Sequence, residues 1–482
     1  MVFQNNVLSG AGGSGTTTYA IGQSIRFNDD DSAYLSRTPS SEGNRKKWTL
    51  STWFKLGNSG LNQNFDGLFS AVTSASAFVT IWVNNATYNL DFIQYNGGTT
   101  YRVNTPLLTK DPSAWYHAVF VYDSGNLQST ERMRIYLNGL RVTDLYQESQ
   151  PSLNYDSQVN ATSTLHNIGR AYSSGTYSTY YFDGYQTEIH LLDGYAYDPS
   201  NFGEFNSSGI WIPKEYTGSY GTNGFKIDGR DSSDLGDDES GNGNDYATSG
   251  LAAHDQVSDS PTNNFAVLNQ LDKGSNTTLT NGNLEFTSSN DGGVRSTVFF
   301  NADKYYIEAI VGTYGNAFTF GISNADRSLS ADAGTDLADF YGWYINPTQN
   351  WIASGSNPWN TGSNSASASL DVMQMAIDAS DPSSIKLYAG INNTYYNSSG
   401  GSDGNPSSGT NPTATITGGE EWSIGFWNRD ASASNILVNF GQEGTFGGNK
   451  TAGGNSDANG IGNFFHSVPT GFKALCTKNL GS

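Results

Sequence analysis

Hydrolysis of a glycoside needs two carboxyl groups about 5 to 9 Å apart, one to give a proton and one to attack or to activate water. Glu188 and Asp193 form one candidate pair, in the segment Glu188-Ile189-His190-Leu191-Leu192-Asp193. Side chains alternate along a strand, so this odd spacing puts the two acids on opposite faces and makes a joint role geometrically awkward. Gly400-Gly401-Ser402-Asp403-Gly404 satisfies the Gly-x-Ser-x-Gly pattern. A nucleophile elbow needs a strand before it and a helix after it, and both flanks here read as loop. The five histidines, His117, His166, His190, His254 and His466, form no His-x-x-x-His pair and no Cys/His cluster of zinc spacing. No residue is assigned a catalytic role.

Binding chemistry is better represented. Calcium takes about six to eight oxygen ligands, which Asp, Asn and main-chain carbonyls of a flexible loop supply. Asp237, Asp238, Glu239, Asn242, Asn244 and Asp245 gather such oxygens within one short run. Their spacing is not that of a helix-loop-helix calcium site, and a cluster of Asn/Gly turns is the competing reading. No cofactor is required, and calcium is the ion these loops invite. A sugar site pairs an exposed aromatic ring with Asp, Asn or main-chain groups that bond hydroxyls. Trp351 beside Asn350, and Trp359 between Asn357 and Asn360, have that composition within a Gly/Ser-rich stretch. Packing of these tryptophans under the loop or into a subunit contact is the alternative.

These residues need a scaffold, and composition indicates which. A chain of 482 residues exceeds the roughly 250 to 300 at which a single core stops growing, so two or three domains are expected. Its 56 glycines, 28 tyrosines, 25 phenylalanines and 10 tryptophans, against 4 methionines and 14% charged residues, describe short aromatic strands joined by tight turns. Strand signals recur at 24–27, 48–54, 79–83, 90–95, 115–122 and 132–137, then at 305–311, 318–323, 373–377, 385–389, 422–427 and 436–440. In 48–54 and 133–139, apolar and polar residues alternate, predicting strands with one face in a core and the other tolerant of solvent. Asn138-Gly139 supplies a hairpin turn. The expected fold class is all-β, with two antiparallel β-sandwiches and an irregular connector.

The formal charge of −21 repels phosphate backbones, which are bound through Lys and Arg, so no nucleic-acid partner is expected. No stretch approaches about 18 consecutive apolar residues, and no basic segment precedes an apolar one at the N-terminus, so neither membrane insertion nor export by that route is expected. The lone Cys476 leaves no intrachain disulfide framework, and synthesis in a reducing cytoplasm is the default.

The order of residues 48–55, Trp115-Tyr116-His117-Ala118-Val119, Tyr136-Leu137-Asn138-Gly139, Ile168-Gly169-Arg170 and Phe182-Asp183-Gly184-Tyr185-Gln186-Thr187-Glu188-Ile189 resembles a laminin-G-type, concanavalin A-like jelly roll. Glucanases of that family commonly present their acids as Glu-x-Asp-x-x-Glu, a pattern absent here. Downstream, Tyr305-Tyr306-Ile307-Glu308-Ala309, Phe320-Gly321-Ile322, Tyr341-Gly342-Trp343, Met375-Ala376-Ile377-Asp378, Ile385-Lys386-Leu387-Tyr388 and Val438-Asn439-Phe440-Gly441 resemble a SPRY (B30.2-like) sandwich. Ala389-Gly390-Ile391-Asn392 departs from that family's compact Val-Asn-Gly turn and precedes a long Gly/Ser/Asn loop, so loop-borne specificity does not transfer. Two such sandwiches, the Asp/Gly/Asn-rich run between them and the tail Gly471-Phe472-Lys473-Ala474-Leu475-Cys476-Thr477 are similar to virion-associated proteins of marine tailed phages.

The resulting map is a Gly/Ser/Thr arm (1–20), a jelly roll (21–212), an Asp/Gly/Asn-rich connector (213–265) and a SPRY-like sandwich with a C-terminal tail (266–482). The resemblance implies a non-enzymatic virion protein made in the host cytoplasm. Its expected form is a tail fibre, spike or similar appendage whose loops recognise a host-surface glycan or protein. The arm would join other virion proteins, and a homo-oligomer, a trimer, is expected. A capsid-surface decoration protein that stabilises the shell and a polysaccharide-degrading enzyme are the rival readings.

Overall fold

Aromatic and β-branched segments bounded by Gly, Asn and Asp fold as strands because the pleat accepts bulky side chains while the turn residues accept positive φ. At Asn138 and Gly139, φ values of 47° and 82° close a tight turn that sets Leu137 opposite Leu140. The computed structural model describes residues 19–57, 65–177, 180–313, 317–330, 339–345, 350–354, 357–359, 370–429 and 434–480, with the main chain alone at 313, 317, 350–354, 357–359 and 434. Residues 1–18 of the expected arm, and Asn360, lie outside the described residues.

The chain divides into two units, Met1–Asn264 and Phe265–Ser482. In the first, one antiparallel sheet runs in the order β10 (Leu140–Arg141), β9 (Met133–Leu137), β8 (Tyr116–Asp123), β3 (Lys47–Leu56), β13 (Gly184–Asp193), β1 (Ser24–Phe27) and β18 (Gln256–Val257), with β16 (Phe225–Ile227) also on β13. The facing sheet runs β11 (Gln147–Ser149), β7 (Thr99–Asn104), β6 (Asn89–Asn96), β5 (Ala77–Asn84), β4 (Phe65–Ser74), β12 (Leu165–Ile168), β2 (Tyr34–Arg37) and β17 (Ala247–Ser249). Trp48 and Phe120 from the first sheet meet Phe92 from the second at ring-centroid distances of 5.4 and 5.9 Å, marking the core between them. A separate hairpin joins β14 (Gly203–Phe205) to β15 (Trp211–Pro213).

The second unit is also a pair of antiparallel sheets. One contains β19 (Leu268–Lys273), β22 (Gly292–Phe300), β32 (Trp422–Arg429), β24 (Ala317–Ser323), β25 (Phe340–Ile345), β26 (Asn350–Ser354) and β27 (Asn357–Trp359). The other contains β20 (Thr277–Thr280), β21 (Glu285–Ser288), β33 (Ser434–Asn439), β23 (Lys304–Thr313), β28 (Val372–Asp378), β29 (Ser384–Ile391) and β30 (Thr394–Tyr395), with β31 (Ala414–Thr417) on β29. Phe286 and Phe426 stack between the sheets at 6.1 Å. Where the sequence departs from a Val-Asn-Gly turn, Asn392 and Asn393 take φ of 46° and 67° and set Ile391 opposite Thr394, so asparagines do what glycine does elsewhere. Among the described residues, helical structure is confined to three single 3-10 turns. The fold is all-β.

Two features differ from the sequence reading. Alternation in 48–54 predicts a polar face tolerant of solvent, yet Thr49 and Ser51, and Lys55 on the same face, are buried. A further layer covers that outer face: Ile21, Trp53, Trp115, Tyr185, Trp211 and Val257 form one small core there, and Val119, Val121, Leu192, Phe202 and Tyr220 another. Residues 213–265, read as connector, supply β16, β17 and β18 to the two sheets of the first unit, and the boundary falls after Asn264.

A buried ion pair anchors that segment. Lys55 Nζ stands 2.8 Å from Asp259 Oδ2, and both side chains are 0% exposed. Lys55 also donates to Asn264 Oδ1 at 2.8 Å, Trp115 Nε1 donates to Asp259 Oδ1 at 3.0 Å, and Asn264 Nδ2 donates to the Ser113 carbonyl at 2.6 Å. Removing one partner of such a pair leaves an uncompensated charge. Lys55→Met is therefore expected to destabilise the first unit by about 3–5 kcal/mol in denaturant titrations followed by tryptophan fluorescence, and Lys55→Met with Asp259→Leu to lose less. A loss within 1 kcal/mol for the single variant would show that the pair is no anchor.

Candidate functional site

The outer face of the first unit begins with an irregularity in β13. Register against β3 slips between Thr187 and His190, and Glu188 takes φ of 47°. Such a bulge breaks strict alternation and re-aims side chains. His190 Nε2 accordingly stands 3.0 Å from Glu188 Oε2, with Lys226 Nζ 3.1 Å from Glu188 Oε1. Tyr19 donates to the same Oε1 at 2.7 Å and accepts from Lys226 at 3.0 Å. Burial would raise the Glu188 carboxyl, but the His190 hydrogen bond and charge, Lys226 and the Tyr19 hydroxyl outweigh it and hold the group at about 2. Asp193 serves another network, accepting from Asn44 N–H at 2.7 Å, Asn160 Nδ2 at 3.0 Å and Asn223 N–H at 2.9 Å. The two acids share no partner among these bonds. A pocket of about 350 Å³ opens where residues 19–23 pass Glu188, Asp228 and Arg230.

Beside this network lies the more open site. Trp211, at the start of β15, donates from Nε1 to His117 Nδ1 at 3.0 Å. With Nδ1 accepting, the proton sits on Nε2, which faces Ser51 Oγ at 2.9 Å. The rings of Trp211 and His117 stack at 5.9 Å. Glycine is required on both sides of the indole: a Cβ on Gly139 would lie 2.3 Å from Trp211 Cε3, and one on Gly203 2.4 Å from Cζ2. Phe205 then packs edge-on against Trp211 at 4.9 Å while remaining 49% exposed. Around these rings Tyr136, Asp198, Ser200, Glu204 and Lys214 line an open groove of about 550 Å³. Asp198 caps the 3-10 turn Pro199–Asn201, accepting from Ser200 N–H at 2.9 Å and its hydroxyl at 2.5 Å. Lys214 donates to the Ser200 carbonyl at 3.1 Å.

The sequence reading missed Phe205 and Trp211. Their signal was present as two aromatics flanking Asn206-Ser207-Ser208-Gly209, a turn in which Asn206 Oδ1 accepts from the N–H groups of Ser208 and Ile210 at 3.0 and 2.9 Å. Of the residues that were singled out for sugar, Asn350, Trp351, Asn357 and Trp359 occupy β26 and β27, with Trp351 opposite Tyr344 and Trp359 opposite Ile352. Their side chains, like all of Asn360, lie outside what the structure describes.

The acidic run 237–245 turns its polar groups toward the protein. Asp238 accepts from the N–H groups of Lys226, Ser240 and Asn244 at 2.9, 2.9 and 2.8 Å and from the Ser240 hydroxyl at 2.8 Å. Asp245 accepts from Asp238 N–H at 3.1 Å, and Glu239 pairs with Arg230 at 3.1 Å. Asn242 and Asn244 both donate to the Gly224 carbonyl, at 2.9 and 2.8 Å, while Asp237 is exposed. In this arrangement the run clamps 221–226. Among the described residues, no group of three or more His, Cys, Asp or Glu side chains is placed to hold a metal ion. Ser402, of the Gly-x-Ser-x-Gly match, is exposed in loop.

The second unit buries one acid of note. Glu308 Oε1 accepts from the Tyr306 hydroxyl and His466 N–H, both at 2.8 Å, and Oε2 accepts from Phe465 N–H at 2.8 Å and Asn439 Nδ2 at 3.5 Å. Burial pushes this carboxyl up to about 7, with those donors partly opposing.

Residues 28–196 match the Laminin_G_3 family model, described as the Concanavalin A-like lectin/glucanases superfamily. No curated protein matches the chain. Among solved structures, the chain is similar to the TRIM65 PSpry domain, at 9% identity over 36% of this chain and 91% of that one with a TM-score of 0.26. It is similar to a native heptameric SAP-like pentraxin from Limulus polyphemus, at 16% identity over 37% and 80% with a TM-score of 0.28. It is similar also to the Ruminococcus gnavus IT-sialidase CBM40 bound to alpha2,3 sialyllactose, at 15% identity over 36% and 91% with a TM-score of 0.27.

The buried groups make the two units respond differently to pH. Burial, with His190 adding to it and Glu188 opposing, lowers His117 from 6.5 to about 3, and burial lowers His166 to about 4. Unfolded histidine takes a proton below 6.5 while these do not, so their contribution is full above pH 6.5 and is lost as pH falls. Glu308 is the reverse: its folded value of about 7 lies above 4.5, so its contribution is full below pH 4.5 and is lost as pH rises through 7. Between pH 4.5 and 6.5, calorimetric transitions of the two units are expected to shift in opposite directions, and Glu308→Gln to flatten only that of the second. Parallel shifts in wild type would contradict this assignment.

Proposed function

We propose that the protein is a non-enzymatic recognition protein and that the groove at Phe205 and Trp211 takes a glycan from a host surface. The half-exposed Phe205 ring, braced by Trp211 and set among exposed Asp198, Ser200, Glu204 and Lys214, carries this reading. A sugar presents an apolar face and a rim of hydroxyls. The ring covers the first, while the carboxylates accept and the ammonium donates to the second. The Laminin_G_3 match supports a binding role. A non-catalytic role is supported by how the acids are used: Asp198 caps a turn, and Glu188 is held by three side chains.

The setting we propose is a tailed-phage virion, with the protein as a homo-oligomeric tail fibre, spike or similar appendage joined to other virion proteins through its N-terminal arm (1–20). Its support is the sequence of two sandwiches, the Asp/Gly/Asn-rich run and the tail motif at 471–477. Antibody labelling of purified particles tests this: label on the tail is expected, and label over the shell would favour a decoration protein.

The groove is tested on a glycan array with wild type and Phe205→Ala. Truncating an anchoring aromatic is expected to weaken binding at least about tenfold, which is roughly 1.4 kcal/mol, with thermal stability nearly unchanged. Unchanged binding would remove Phe205 from the site, and release of reducing sugar from a bound polysaccharide would overturn the non-enzymatic reading.

A further inference from the structure

The outer face of the facing sheet in the first unit carries a cation that no acid among the described residues neutralises. Along β5, Phe78, Thr80 and Trp82 alternate with Val79, Ile81 and Val83, which belong to the core, so the first three point away from it. The chain that follows β12 packs on them. Tyr172 N–H donates to Thr80 Oγ1 at 3.2 Å, the Tyr172 ring meets Phe78 at 5.3 Å, and Tyr180 stacks on Trp82 at 5.6 Å. Gly169 makes this course possible, because its φ is 80° and a Cβ there would stand 2.4 Å from Phe27 Cδ1. Arg170 comes next, and its side chain folds back onto Asn167 of β12.

The anomaly is the charge of Arg170. Arg26, Lys55 and Lys226, the other buried lysine and arginine side chains described in this unit, each meet a carboxylate: Asp255 at 3.1 Å, Asp259 at 2.8 Å and Glu188 at 3.1 Å. Arg170 is 8% exposed, and its partners are of another kind. Nε and Nη2 both donate to Asn167 Oδ1, at 3.1 and 2.9 Å, and Cζ lies 3.4 Å from the centre of the Tyr34 ring and 4.1 Å from that of Tyr177. Aromatic faces attract a guanidinium but carry no net charge to balance it. One side of the donor fork is used on Asn167. The other side, Nη1 with the second Nη2 proton, meets no acceptor among the described residues, and Nη1 keeps contact with solvent. Around it Tyr34, Tyr177 and Tyr181 are half-buried, with Tyr181 opposite Arg170 and 6.2 Å from Tyr34.

We propose that Arg170, Tyr34 and Tyr177 form a subsite for the carboxylate of an acidic sugar. A carboxylate matches the unused fork in plane and spacing, accepting two parallel hydrogen bonds, and it brings the negative charge that the fold omits. The half-buried tyrosines offer apolar ring area to a pyranose and hydroxyls to its rim, which is why a uronate-type sugar and not an acidic peptide is the ligand. This subsite is separate from the groove at Phe205 and Trp211, which lies against His117 of the other sheet. At a net charge of −21, long-range attraction does not hold an anion here, so recognition rests on this short-range fork.

The test is calorimetric titration of the full chain with trisaccharides of galacturonate and of glucuronate, and with the same sugars after reduction of their carboxyl groups to alcohols. One of the acidic forms is expected to bind at least about tenfold more tightly than its reduced counterpart, as a charge-assisted pair implies. Arg170→Gln is expected to remove that preference by weakening the acidic form alone, while Phe205→Ala leaves it intact. Arg170→Lys keeps the charge without the fork; it is expected to lose most of the preference and decides the matter if Arg170→Gln does not fold. Wild type that binds neither acidic form, or does not distinguish acid from alcohol, would overturn the proposal. So would a preference that survives in either folded Arg170 variant or disappears in Phe205→Ala, and a glutamate tripeptide bound as tightly as the trisaccharide would overturn the assignment to a sugar.

Discussion

The buried pair of Lys55 and Asp259 ties residues 255–264 to the outer face of the first unit. A desolvated ammonium and carboxylate persist only when each is paired and hydrogen-bonded, and here Asn264 and Trp115 complete the set. The consequence is topological. Residues 255–264 must cross the outer face of the β3 and β13 sheet for the charges to meet, and in crossing they bring β18 into that sheet and Val257 into the small outer core. A sheet that would otherwise have one wet face is thereby buried on both. The unit extends to Asn264 for the same reason.

The same rule governs the outer network around Glu188. A glutamate, a lysine, a tyrosine and a histidine near one another look by residue type like acid and base chemistry. Their partners indicate otherwise, since the β13 bulge aims Glu188 at His190, Lys226 and Tyr19 together and leaves no oxygen idle. A carboxyl held near 2 is a poor proton donor at neutral pH. Identity and spacing suggested a question about catalysis, and hydrogen bonding supplies a structural use for the same atoms.

How far the sequence was legible depended on the range of the interactions involved. Strands such as 24–27 and 422–427, the latter running on to Arg429, could be read because period-two patterning and turn residues are local, and the Asn138-Gly139 hairpin follows from two residues alone. The burial of Ser51 and Lys55 could not be read, because it is imposed by residues some 60 to more than 200 positions away. The bulge at Glu188 could not be read either, since it is set by the register against the partner strand. For the groove, Trp211 was visible as a residue but not as a platform. Its usefulness arises from Gly139 and Gly203 closing on the indole from separate elements, a relation that composition does not carry.

These constraints also determine where recognition can occur on the first unit. The inner faces of both sheets fill the core, and the outer face of the β3 sheet lies under residues 195–264, so that outer face is not free to meet a ligand. The hairpin of β14 and β15 pairs with neither sheet; it carries exposed Glu204 and Phe205, and Trp211, paired with Phe205 next to the turn, fixes it to His117 below. Changes to those two exposed side chains would alter what the groove contacts without disturbing any ladder, whereas changes to Trp211 would reach His117 and Ser51 in the sheet below. A surface divided in this way, with variable contacts on a fixed aromatic base, suits a protein whose scaffold must persist while its ligand changes.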